Sequence, residues 1–78
     1  MFAAPTNDQR ASWAMTAVDA FSEKTGLDRA GENLDTKIGD LLANLMHLCK
    51  FNEIDFDGVL NTGRMHFEAE VAEEEGPA

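Results

Sequence analysis

The 78-residue sequence predicts an all-α fold: three helices at about 8–25, 34–51 and 56–70, the last two forming an antiparallel hairpin. Three observations carry this prediction. Apolar residues recur at helical spacing in three separate segments. Cap and stop residues bound those segments. The junction between the second and third segments is also too short for anything but a tight reversal.

The first helix is expected from about Asp8 to Thr25. Thr6 with Gln9 three residues later is a capping-box pattern, and Asp8 suits the positive helix N-terminus. Trp13, Ala14, Ala17, Val18 and Phe21 form one apolar face, with Ser12, Thr16, Asp19 and Glu23 opposite. Gly26 supplies a left-handed stop, and Leu27 is placed to fold back as the hydrophobic contact beyond it. Residues 28–32 read as a loop or an early helical turn.

The second helix starts at Asn33 or Asp35 and ends near Phe51. Leu34, Ile38, Leu41, Leu42, Leu45, Leu48 and Cys49 make its continuous apolar stripe, the strongest periodic signal in the chain. Asn52 and Glu53 break it, Asp55 caps the third helix, and Ile54 and Val59 stand where a hydrophobic staple would. Phe56, Val59, Leu60, Gly63 and Phe67 then share one face. Glycine inside a helix costs about 1 kcal/mol against alanine, so Gly63 suggests a close backbone approach. Residues 1–5 and 72–78, the latter rich in glutamate, read as disordered ends of a single domain.

Composition bounds the function. A chain this short buries only about 60% of its unfolded surface, so its core is marginal without a disulfide, metal or partner subunit. Cys49 is the only cysteine, which excludes an internal disulfide and fits a reducing compartment. No apolar run approaches the roughly 20 residues of a membrane span, and Met1-Phe2-Ala3-Ala4-Pro5 lacks the pattern of a signal peptide. The expected location is the cytoplasm, with no membrane partner. A net charge of −9 argues against direct nucleic-acid binding. Five acids and no base fall in residues 68–78, leaving −4 on the rest. Most of the excess is thus a solvated tail, although acidic mimicry of nucleic acid remains an alternative.

Candidate chemistry is sparse. Asp40, Asn44, His47 and Phe51 recur at spacings of four, three and four on the second helix, away from the leucines. They are either a ligand, metal or partner-binding edge with Phe51 as its aromatic wall, or a solvated face with Phe51 tucked into the hairpin turn or an oligomer contact. His47, Cys49 and His66 lack any zinc-binding spacing. Asp40 has no second acid one turn away and has Lys37 in the preceding turn, which opposes magnesium. No catalytic residues are assigned, and neither is a metal or other cofactor.

The segment from Lys37 to Glu70 resembles the C-terminal helical pair of MazG-like nucleoside triphosphate pyrophosphohydrolases. Gly39, Asp40, Leu41, Leu42, Ile54, Asp55, Leu60 and Phe67 stand where that family's pattern expects them. The resemblance implies a helical hairpin and, as an alternative function, magnesium-dependent nucleotide hydrolysis with Asp40 as a metal ligand. The departures fall on the chemistry. Lys37 replaces the first acid of the metal-binding pair, Arg64 an asparagine and His66 a lysine, and no Glu-Glu-x-x-Glu motif occurs in the first helix. The same run is similar to short uncharacterised bacterial proteins carried by phages and plasmids, which implies a mobile-element context. In that context an acidic inhibitor of a nucleic-acid-binding protein is a second alternative.

The leading expectation is a non-catalytic helical module that binds a protein partner or itself. The apolar stripes exceed what three short helices can cover, which points to a homodimer held mainly by helices two and three.

Overall fold

The structure, a computed structural model, describes residues 4–76. It is all-α: α1 spans Asn7–Thr25, α2 Leu34–Phe51 and α3 Phe56–Glu75, with no strand among the described residues.

The start of α1 follows from its cap. The Thr6 hydroxyl accepts a hydrogen bond from the Gln9 amide at 3.2 Å, and the Gln9 side chain accepts one from the Thr6 amide at 2.9 Å. These two bonds satisfy donors that a helix start otherwise leaves unpaired. Gly26 ends the helix at φ 81°, a conformation open to glycine at little cost. Residues 26–31 coil into hydrogen-bonded turns and not a helix, and Leu27 is half-buried among them.

At the end of α2 the Ile54 amide donates to the Cys49 carbonyl at 2.9 Å, and the Glu53 amide to that of Lys50 at 3.3 Å. This pair of bonds is a Schellman stop, and it needs a left-handed residue at Glu53, whose φ is 56°. Asp55 occupies the cap position of α3, yet its side chain accepts no capping hydrogen bond.

Two expectations about α3 are corrected. The helix runs to Glu75, five residues past the expected end, so residues 72–75 are helical and not a disordered tail. Alanine and glutamate are good helix formers, and a distant contact holds this turn: the Asn7 amide donates to the Glu74 carboxylate at 2.7 Å. The Asn7 side chain adds a bond to the Glu70 carbonyl at 3.2 Å, and Arg10 pairs with the Glu70 carboxylate at 3.1 Å. Two carboxylates therefore sit at the positive end of α1. Residues 1–3, 77 and 78 lie outside the described residues. Gly63 is the second correction: a Cβ there would meet nothing within 4 Å, so no close approach explains it.

The interior is nearly absent. Among the described residues only Val18 and Ser22 are buried, both on α1. The helices touch one another pairwise but stay splayed. The radius of gyration is 15.1 Å, against about 11.5 Å for a compact chain of this length. Phe51 does not fold over the turn; it is 86% exposed, and Trp13 is 59% exposed.

Candidate protein-interaction surface

The splay leaves an apolar groove of about 430 Å³ between α1 and α2. Its α1 wall is made by Ala11, Ala14, Met15, Ala17 and Val18. Its α2 wall is made by Leu34, Ile38, Leu41, Leu42 and Leu45, the first two-thirds of the stripe expected to be core. No charged or hydroxyl side chain lines it. The stripe forms as the periodicity requires, but no described residue covers it. Leu34, Ile38, Leu42 and Leu45 are all exposed, and Met46 and Leu48 extend the apolar area toward the turn.

Ala14, Ala17 and Val18 of the α1 wall lie on the face expected to be apolar, whereas Ala11 and Met15 do not. Ala11, Met15, Val18 and Ser22 follow spacings of four, three and four, which places them on one face. That face is turned inward, whereas Trp13 lies off it. Alanine and serine carry so little hydrophobic signal that the tryptophan dominates the pattern. Small residues here make a shallow recess beside the large leucines.

The outer stripe of α2 is a separate surface. Asp40, Asn44, His47 and Phe51 are all exposed, and the Asn44 amide group donates to the Asp40 carbonyl at 2.9 Å. Among the described residues no group of three or more histidine, cysteine, aspartate or glutamate side chains is placed to hold a metal ion. His47, Cys49 and His66 likewise remain apart, and Cys49 is a free, half-buried thiol. No described helix is long and apolar enough to cross a membrane.

No family model, curated protein or solved structure matches this chain. Its function must be argued from the surface itself.

Proposed function

We propose that the protein is a non-catalytic protein-interaction module whose fold is completed by another polypeptide bound against its apolar inner face. One observation supports this above the rest: among the described residues fourteen large hydrophobic side chains are exposed while Val18 is the only buried one. Each large side chain left in water forfeits roughly 1.5–3 kcal/mol relative to burial. A few of them match the whole stability of a small domain. A chain with this surface persists by covering it. The outer stripe, with Phe51 at its end, offers a second contact edge. The single thiol fits action in a reducing compartment such as the cytoplasm.

Size in native extract tests the reading. The protein is expected to elute from gel filtration well above its own 8.5 kDa, and Leu42→Asp should return it to monomer size. Elution of the wild type at 8.5 kDa would remove the basis for an interaction module. Incubation of purified protein with nucleoside triphosphates and magnesium should release no pyrophosphate. Turnover that Asp40→Ala abolishes would instead establish the hydrolase alternative.

A further inference from the structure

We infer that the occupant of the α1–α2 groove is the same face of a second copy, so that α1 and α2 of two chains build one four-helix core around a two-fold axis. This rests on the interaction-module reading and names the partner.

The chain exposes 6560 Å², whereas a compact protein of its mass exposes about 4,700 Å². The surplus is roughly 1,900 Å². A standard interface takes about 800 Å² from each partner, and obligate homodimers take from about 1,000 to 2,500 Å². The surplus falls within the obligate range.

A two-fold contact must be self-complementary, because the same patch faces itself. The α1 wall of this groove is mostly small, with Ala11, Ala14 and Ala17 beside Val18 and one large side chain, Met15, and it forms a recess next to a ridge of large ones, Ile38, Leu42 and Leu45. Turned about a two-fold axis, the ridge of each chain meets the recess of the other. From Leu34 to Leu45 the ridge is about 17 Å long at 1.5 Å per residue, long enough for three helical turns of contact.

Other occupants fit less well. The chain's own α3 lies against the start of α1, where Asn7 and Arg10 bond Glu70 and Glu74, and lines no part of the groove. A strongly charged partner gains nothing from a lining that carries no charge. For a chain of net charge −9, a neutral patch is where two copies can meet with least repulsion.

Sedimentation equilibrium of the purified chain at micromolar concentration is the test. A mass twice 8.5 kDa is expected, with a melting temperature that rises with protein concentration. Leu45→Glu and Ala43→Glu add the same charge to the same helix, but position 43 lies on the side of α2 opposite the ridge. Leu45→Glu should weaken association at least 100-fold, and Ala43→Glu less than threefold. Leu45→Ala, which keeps a strong helix former, should weaken it about tenfold and serves if the glutamate variant fails to fold. A wild type of 8.5 kDa with a concentration-independent melt overturns the dimer, as does a closed assembly larger than two. Equal loss from Leu45→Glu and Ala43→Glu, or none from Leu45→Ala, moves the contact off this groove and overturns it too. If the purified chain is monomeric while the native complex is large, self-association fails and the interaction module stands. If both are monomeric, both fail.

Discussion

Two single residues sit in positions that their chemistry does not favour, and each gives a measurable prediction. Glu53 is held at φ 56° to complete the Schellman stop, where a side chain with a Cβ pays roughly 1 kcal/mol and asparagine is better tolerated. Glu53→Asn should therefore stabilise the protein by about 0.5–1 kcal/mol in urea unfolding, with an unchanged slope. A loss would mean that the Glu53 side chain contributes a contact that outweighs the backbone strain. Ser22 is 1% exposed, and its hydroxyl has no hydrogen-bond partner. A buried unsatisfied polar group costs about 1–3 kcal/mol, and alanine is also the better helix former. Ser22→Ala should raise the melting temperature by about 4–8 °C, the shift that about 1 kcal/mol gives a domain of this size. A fall instead would show that the hydroxyl is satisfied in solution.

At the scale of the helices, the informative piece is the last turn of α3. Deleting residues 72–78 removes Glu74, whose carboxylate holds the Asn7 amide at 2.7 Å. The contact is exposed, which limits its worth to roughly 1 kcal/mol. The truncated chain should melt about 4–8 °C lower at equal protein concentration, and a melt unchanged within error would show the contact contributes nothing. Gly63→Ala tests the same helix in the other direction. Its Cβ meets open space, so the substitution should stabilise by about 1 kcal/mol, whereas a loss would reveal a chain packed against Gly63 in the assembled protein. The Thr6–Gln9 cap, the Gly26 stop and both ends of α2 are local patterns, and local patterns are legible. The Glu74–Asn7 bond joins residues 67 apart in a stretch that composition alone describes as a solvated acidic tail. The α2 half of the groove was legible as leucine periodicity, although the stripe reads as core whether or not the chain covers it. The α1 half was legible in part: Ala14, Ala17 and Val18 fall on the expected apolar face, but Ala11 and Met15 do not, because Trp13 pulls the pattern away from them. The outer stripe is placed on one face as its spacing requires, and Phe51 at its end stays in solvent.

For the whole molecule, the deciding property is that a chain of net charge −9 has a neutral apolar face. Pairing two copies doubles the charge, and Glu68, Glu73 and Glu75 remain exposed on α3. In the proposed dimer the long-range electrostatic contribution is therefore repulsive, and the attraction would come from area removed from water. Salt separates the two contributions. Screening shortens from about 10 Å at 0.1 M to about 3 Å at 1 M, which removes repulsion between distant carboxylates. Contacts between apolar side chains do not weaken under the same change. The dissociation constant of the dimer should thus fall several-fold between about 0.05 and 0.5 M sodium chloride, measured by sedimentation equilibrium at fixed pH. A basic partner bound through the acidic end of α3 would behave in the opposite way, losing affinity as salt rises. A dissociation constant that climbs with salt for the purified chain would place opposite-charge pairs between the two copies. The contact would then lie on charged faces, such as those carrying Lys37, Lys50 or Arg64, and not on the neutral groove.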